Sequence, residues 1–141
     1  MNIHEYQAKK LLRSYNLPVP EGIDFKQTRD IASSIQNLKG PPWVIKSQIH
    51  AGGRGAGYFL GYSQDSGGVR LVNSLEEIKK EAAFMLGNKL ITKQTGLKGK
   101  QVNTVYIETR CLIKKEFYLS ILVDRQSSKV ILIASASGGI D

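Results

Sequence analysis

A short apolar segment ending in a lysine leads into a glycine-rich loop, and these two features restrict the chain more than any others. The segment is Trp43–Lys46, and glycines occupy four of the six positions from 52 to 57. Because glycine has no Cβ, the backbone N–H groups of such a loop can turn toward a bound anion. Lys46 before the loop and Arg54 within it supply the positive charge that a phosphate chain requires. Nucleotide phosphate is therefore the first ligand class to consider.

The position of this loop argues against two common phosphate-binding folds. It lies between two predicted strands, residues 43–47 and 69–72, and no helix opens directly behind it. The dinucleotide-binding fingerprint of Rossmann folds requires a helix at that point. A P-loop carries its lysine after the glycines, whereas Lys46 precedes them. The loop is thus expected to bind phosphate in another structural context.

Hydrophobic spacing and turn residues predict a mixed α+β domain. Capping boxes are expected at Asn2 with Glu5 and at Ser74 with Glu77, and Gly87 is expected to end the last helix. The predicted helices cover residues 2–14, 28–38 and 75–86. The predicted strands cover residues 43–47, 69–72, 90–92, 102–109, 116–123 and 129–134.

Composition sets the class of protein. The chain has 141 residues, 41% of them hydrophobic, and a formal net charge of +8, which suits one globular domain or two small subdomains. No stretch approaches the ~18 consecutive apolar residues of a membrane span, so no membrane partner is expected. The first residues do not resemble a secretory or transit peptide, and Cys111 is the single cysteine. These features predict a protein of the reducing cytoplasm.

The positive charge is compatible with a nucleic-acid partner. Basic residues are scattered, however, and the pairs Lys9-Lys10 and Lys79-Lys80 are interpreted as solvated helix faces. No block of aromatic and basic residues resembles an RNA-binding signature. Nucleic acid is therefore not expected as a partner, and a basic nucleic-acid-binding domain is kept as the alternative outside the enzymes.

Several segments, taken in order along the whole chain, resemble the β subunits of succinate–CoA ligases (succinyl-CoA synthetases). A match of this extent is far more specific than one glycine motif. The matching segments are residues 1–9, 42–46, 50–55, 67–72, 105–108, 115–119, 123–125, 134–135 and 138–139.

The resemblance implies an ATP-grasp fold, in which nucleotide lies between two α+β subdomains. Residues 20–108 would form the small lid-like subdomain with the glycine-rich loop. Residues 1–19 and 109–141 would belong to the second subdomain. Since β subunits of this family are much longer, and the chain stops shortly after an apolar strand, a truncated ATP-grasp fold is expected.

The activity that the resemblance implies is the interconversion of succinate, CoA and nucleoside triphosphate with succinyl-CoA, nucleoside diphosphate and phosphate. It proceeds through a phosphohistidine on the α subunit, the expected protein partner, so neither His4 nor His50 is assigned that role. The cofactor would be Mg-ATP or Mg-GTP, with magnesium ligands beyond Asp141. No catalytic or metal-binding residue is expected within this chain.

By the same resemblance, Lys46 and the loop residues Gly53, Arg54 and Gly55 would contact the nucleotide phosphates. Family members often have a lysine where this chain has Ala56, and many lack the residues that follow here up to Ser66. The longer loop is interpreted as a cover over the site.

Three further residues would border the base and the ribose. Glu108 matches the acidic residue of the segment along the adenine pocket, and Cys111 matches a position that contributes backbone contacts. Glu116 matches the carboxylate that accepts hydrogen bonds from ribose hydroxyls. Related acid–thiol ligases, such as malate–CoA ligase or a segment of ATP-citrate lyase, remain open as alternatives within the enzymes.

Overall fold

The computed structural model describes residues 2–63 and 67–138. It contains two compact units, residues 1–110 and residues 111–141, and each is described by itself. The end of the long loop at 64–66 and the last three residues, which carry part of the resemblance, lie outside the described residues.

The first unit contains three α-helices and seven strands among its described residues. The helices are α1 (Glu5–Ser14), α2 (Ile31–Ser34, flanked by 3-10 turns at Thr28–Asp30 and Ile35–Asn37) and α3 (Leu75–Met85). The strands are β1 (Gly22–Phe25), β2 (Trp43–Ser47), β3 (Tyr58–Phe59), β4 (Val69–Val72), β5 (Lys89–Ile91), β6 (Lys100–Gln101) and β7 (Val105–Thr109). The mixed α+β class is thus confirmed, although the predicted helix at 28–38 is broken into three short turns.

Four strands form the main sheet of this unit, in the order β1-β7-β2-β4, and every pair is antiparallel. Side chains alternate between its two faces because the side-chain period of a strand is two residues. Ile45 of β2 lies opposite Ile107 of β7, and both are fully buried on one face. Lys46 is one residue further along and therefore lies on the other face.

The buried face of the main sheet packs into the hydrophobic core. Helix α3 contributes Ile78, Ala82 and Met85, all fully buried, and their three- and four-residue spacing places them on one side of the helix. A second antiparallel sheet, in the order β3-β5-β6, adds Phe59 and Leu90 to the same core. A continuous hydrophobic core therefore holds the main sheet in place, and Lys46 lies on the face of that sheet opposite the core.

Helix α3 begins and ends as the sequence predicts. The side chain of Ser74 accepts a hydrogen bond from the backbone N–H of Glu77 at 3.1 Å. The carboxylate of Glu77 in turn accepts one from the backbone N–H of Asn73 at 2.7 Å. Gly87 follows the helix with a φ of 84°, a left-handed conformation that glycine adopts without steric conflict.

Helix α1 differs from its prediction at its start. It begins at Glu5 with His4 as N-cap, and the backbone N–H of His4 donates to Gln7 Oε1 at 2.8 Å, so the predicted cap at Asn2 is wrong. No residue of α1 is buried, and its apolar side chains Leu11 and Leu12 are 54% and 40% exposed. The polar side of this helix therefore carries its contacts with the rest of the unit.

The second unit contains one antiparallel hairpin among its described residues, β8 (Tyr118–Asp124) and β9 (Lys129–Ser135). Its turn is stabilised by Asp124, whose carboxylate accepts hydrogen bonds from the Gln126 backbone N–H and the Ser127 hydroxyl. The two strands predicted at 116–123 and 129–134 are thus confirmed here, with small differences at their ends.

The two compact units meet in the chain between residues 110 and 111, and the boundary expected at 108/109 between ATP-grasp subdomains stays a prediction. Helix α1 lies in the first unit because its charged residues bind the main sheet. The assignment of residues 1–19 to a second ATP-grasp subdomain stays a prediction. None of the helices in the described residues is long and apolar enough to cross a membrane.

Replacement of Ile45 by alanine tests the importance of the buried sheet face. Ile45 is fully buried, and deletion of such a side chain lowers the free energy of unfolding by about 2–5 kcal/mol. The matched control is Leu71→Ala, since Leu71 lies on the opposite face of the sheet and is 48% exposed. Its loss should be below about 1 kcal/mol. Urea unfolding measures both, and equal losses would contradict this assignment of the two faces.

Candidate functional site

The face of the main sheet opposite the core carries a group of charged side chains. Glu108 of β7 is the strand partner of Val44 of β2, so these two residues lie on the same face of the sheet. Lys46 is two residues from Val44 and therefore lies on that face as well. Helix α1 brings Glu5 and Lys9 to the same place, at a spacing of four residues that puts both on one side of the helix. The glycine-rich loop brings Arg54. We call these five residues the charge cluster.

Glu5 lies at the centre of the charge cluster. Its Oε1 is 2.9 Å from Lys46 Nζ and 2.9 Å from Lys9 Nζ. Its Oε2 is 2.6 Å from Arg54 Nη2. The Glu108 carboxylate completes the arrangement, with one oxygen on Lys46 and the other on Lys9. Three cations against two carboxylates leave one net positive charge.

The charge cluster is shielded from solvent. Side-chain exposure ranges from 7% for Glu108 to 20% for Glu5, and charge pairs with so little water contact are only weakly screened. Burial alone raises the pKa of the Glu5 carboxyl. The hydrogen bond and charge of Lys46, with hydrogen bonds from Lys9 and Arg54, outweigh burial and lower that pKa to about 2. Glu5 is thus an anion throughout the physiological pH range.

Lys9 is held as a cation by the same contacts. Burial alone lowers the pKa of its ammonium group, but hydrogen bonds to Glu108 and Glu5 reverse this and raise it above the usual value. The interpretation of Lys9 as a solvated surface lysine is therefore wrong, whereas Lys10 is exposed as predicted. The four-residue spacing of Glu5 and Lys9 was the available sequence signal, although it does not reveal the contacts with the sheet.

Arg54 connects the glycine-rich loop to the sheet. Its Nη1 donates to the backbone carbonyl of Ser47 at 2.7 Å. Its own carbonyl oxygen accepts hydrogen bonds from the backbone N–H groups of Gly57 and Gly68, at 3.3 and 2.9 Å. A Cβ at Gly57 would lie 2.5 Å from the carbonyl oxygen of Ile91, so this position requires glycine. The guanidinium group is therefore fixed at the start of the long loop.

The loop has backbone donors available for a ligand. Among the described residues, no acceptor is found for the backbone N–H groups of Gly53, Arg54 and Gly55. Gly53 has a φ of 71°, and alternation of left- and right-handed backbone is how successive N–H groups form an anion-binding concavity. The preceding residue, Gly52, donates its N–H to Gln94 Oε1 at 2.7 Å.

An open cleft of about 430 Å³ adjoins the charge cluster and the loop, within the 300–1,000 Å³ range of small-molecule sites. Its lining includes Glu5, His50, Gly52, Arg54 and Gln94. A polar cleft bordered by an arginine and by glycine amides suits an anionic ligand. Arg54 lines this cleft, and Gly53 and Gly55 are its neighbours in the chain. Lys46, the fourth residue predicted to contact phosphate, is linked to Arg54 because both bind the Glu5 carboxylate.

His50 lies beside this cleft and packs on His4, with ring centroids 4.0 Å apart and an interplanar angle of 21°. Burial lowers the pKa of His4, and the charges of His50 and Arg54 lower it further. Both histidines thus have packing roles here. Among the described residues, no three histidine, cysteine, aspartate or glutamate side chains lie together in a way that could hold a metal ion.

The remaining predicted residues belong to different places. The Glu108 carboxylate lies inside the charge cluster, with both oxygens bound to lysines. Cys111 and Glu116 are exposed residues of the second unit. The backbone carbonyl of Glu116 accepts a hydrogen bond from the Gly138 N–H at 3.2 Å. Roles of these three residues toward base and ribose stay predictions.

The pKa of Glu5 predicts how stability depends on pH. Because the folded-state pKa of about 2 lies below the ordinary value of 4.5, the contribution of Glu5 is complete above pH 4.5 and is lost as pH falls toward 2. Its size is on the order of 3 kcal/mol. The variant Glu5→Gln should therefore be less stable than wild type at pH 7, and the difference should shrink below pH 4.5.

Urea unfolding at several pH values measures this difference. The matched control is Glu76→Gln, which removes one negative charge at an exposed position of α3. Its effect at pH 7 should stay below about 1 kcal/mol. A gap between wild type and Glu5→Gln that stayed constant from pH 7 to pH 3 would disprove the ion pairing of Glu5.

Comparisons with known proteins fit this geometry. The profile of the ATP-grasp domain family matches residues 2–141. Proteins named succinate–CoA ligase (ADP-forming) subunit beta are similar along the whole chain: 54% identical in Hyphomonas neptunium and 55% in Caulobacter vibrioides, in each case over 142 residues. The chain spans 36% of the length of each of these relatives.

Solved structures show the same fold at low sequence identity. Ca. Korarchaeum cryptofilum ACD1, in complex with coenzyme A, matches 95% of this chain and 53% of its own length, with a TM-score of 0.63 and 18% identity. Phosphoribosylamine–glycine ligase from Thermotoga maritima matches 93% of this chain and 27% of its own length, with a TM-score of 0.59 and 16% identity. By family profile, by relatives over its full length and by fold, this chain belongs to the ATP-grasp domain family.

Proposed function

We propose that this chain is the nucleotide-binding portion of a succinate–CoA ligase β subunit and that its site holds the phosphates of Mg-ATP. One observation carries the proposal: Lys46 and Arg54, from separate elements, converge on a single carboxylate beside a cleft. Next to them are loop amides for which the described part of the chain offers no acceptor. Two cations that share one anion provide the charge a polyphosphate requires. The full-length similarity to ADP-forming succinate–CoA ligase β subunits supports the choice of reaction class.

Each part of the site has a separate task in this proposal. Lys46 acts as a point charge on the phosphates, while the planar guanidinium of Arg54 binds two oxygens at once. The N–H groups of residues 53–55 donate to phosphate oxygens. Magnesium, when bound with the nucleotide, neutralises phosphate charge, and its ligands are proposed to lie outside this chain. Glu108 holds the Lys46 ammonium in position through its carboxylate.

The remaining assignments concern the whole enzyme. Cys111 and Glu116 are proposed to border adenine and ribose, the first through its backbone and the second through its carboxylate. The α subunit would supply the phosphohistidine that accepts the phosphoryl group, and succinate and CoA would be the other substrates. A bacterial cytoplasm is the proposed location. Use of GTP instead of ATP is the alternative for the nucleotide.

Alanine variants of the two cations test the phosphate site. Lys46→Ala and Arg54→Ala should each raise the Kd for Mg-ATP about tenfold or more, since each removes one charge-assisted contact. Isothermal titration calorimetry measures the Kd. The control Lys79→Ala removes an exposed lysine on α3 and should leave the Kd unchanged. Unchanged affinity in both site variants would refute the proposal.

A competition experiment separates this function from nucleic-acid binding. Duplex DNA should fail to displace Mg-ATP, and binding of oligonucleotides should be weak, because the basic residues are scattered along the chain and form no basic block. Tight oligonucleotide binding with a steep dependence on salt concentration would favour the basic nucleic-acid-binding domain instead.

An activity assay tests the division of labour between subunits. The 141-residue chain alone should release no ADP from ATP in the presence of succinate and CoA, because the phosphohistidine is proposed to belong to the α subunit. A coupled spectrophotometric assay measures ADP. Sustained succinate-dependent ADP release by the chain alone would contradict this division.

A further inference from the structure

The Glu5 carboxylate bridges two cations in the way that a phosphate group does. Its Oε1 binds Lys46 at 2.9 Å and its Oε2 binds Arg54 at 2.6 Å. A phosphate that binds an arginine and a lysine also uses different oxygens for the two cations. Lys46 belongs to β2 and Arg54 to the glycine-rich loop, so an acidic residue of a third element occupies the point where both cations meet.

A second oxygen of the chain lies at the same loop. The side chain of Gln94 accepts a hydrogen bond from the Gly52 backbone N–H at 2.7 Å, and both Gln94 and Glu5 line the 430 Å³ cleft. Here the chain itself provides acceptors at an edge of the cleft where ligand phosphate is proposed to bind.

Helix α1, which carries Glu5, is attached through charge more than through apolar packing. No residue of α1 is buried, and Leu11 and Leu12 are largely exposed. Exposed apolar side chains give little stabilisation, because little of their surface is removed from water. The first turn of α1 is held by the ion pairs of Glu5 and Lys9, together with the Tyr6 N–H bond to Gln48 Oε1 and the stacking of His4 on His50. Competition for the partners of Glu5 weakens that attachment.

We propose that Glu5 sets the nucleotide affinity of the site, because its carboxylate competes with ligand phosphate for Lys46 and Arg54 and is displaced when phosphate binds. The inference rests on the proposed function, since it concerns the same two cations. The displaced Glu5 carboxylate still has a cationic partner. Lys9 lies four residues away on the same helix, with its Nζ 2.9 Å from Glu5 Oε1, and can keep this contact.

The variant Glu5→Gln tests the competition, because it preserves the shape of the side chain and removes its charge. The probe is inorganic tripolyphosphate, which carries the phosphate charge without base or ribose. Isothermal titration calorimetry should show a Kd about tenfold lower for Glu5→Gln than for wild type, within the usual 5- to 150-fold range of coupling between sites. Glu76→Gln, with the same change of net charge, should bind like wild type.

Two outcomes separate this inference from the proposed function. If Lys46→Ala weakens tripolyphosphate binding but Glu5→Gln binds equally or more weakly than wild type, the competition is refuted and the phosphate site stands. If Lys46→Ala leaves binding unchanged, the phosphate site itself is refuted.

Hydrogen exchange on the wild-type chain gives a second test that does not depend on the folding of any variant. Displacement of Glu5 should make the backbone amides of residues 5–14 exchange several-fold faster at saturating tripolyphosphate, because α1 loses its ion pairs with Lys46 and Arg54. Slower or unchanged exchange in α1 at saturation would overturn the proposal.

Discussion

The contact of Glu5 with Lys46 and Arg54 is the interaction on which the arrangement of the first unit depends. It joins three segments that are distant in sequence: helix α1, strand β2 and the glycine-rich loop. Helix α1 contains no buried residue, so apolar packing contributes little to its orientation. A charged contact with side chains at most 20% exposed supplies the orientation instead, and breaking such a pair leaves an uncompensated charge.

The charged contact is possible because strand β2 has two different faces. Trp43 and Ile45 enter the core, while Lys46 projects from the other side. The core positions the backbone, and the backbone positions the lysine. The same alternation in β7 gives a buried Ile107 and the neighbouring Glu108, whose carboxylate binds Lys46. Buried apolar residues and charged residues are therefore neighbours in the same strand, so the contacts of the charged residues can change without disturbing the interior.

Much of the fold could be predicted from the sequence. Strands β2 and β4 match their predicted bounds, and helix α3 matches within one residue at its end, because each has clear hydrophobic spacing and recognisable end signals. Strand β1 was missed because residues 22–25 are too few to show a period. The helix expected at 28–38 is broken, although Ile31, Ile35 and Leu38 are buried on the expected spacing.

The site was predictable only in part. Lys46 and Arg54 follow from the pattern of an apolar segment and a glycine-rich loop, and Glu108 follows from the resemblance to a family. Glu5 and Lys9 could not be assigned in the same way. Helical spacing shows which residues share a side but not which side meets the sheet, and α1 presents its polar side. The polar side meets the sheet because β2 and the loop supply the cations that bind Glu5. The sequence of the helix alone does not show that these cations lie nearby.

The hydrogen bonds at the Arg54 carbonyl have a consequence for how this loop can vary among related proteins. The amides of Gly57 and Gly68 both bind this one oxygen, and the Ser47 amide binds the carbonyl of Gly68 at 2.7 Å. The two ends of the intervening segment are thereby tied together at its base. Phe59, which lies between those ends, belongs to the core. Changes of loop length after Phe59 leave both the core and these hydrogen bonds intact, so evolution can lengthen or shorten the loop there while the guanidinium stays in place.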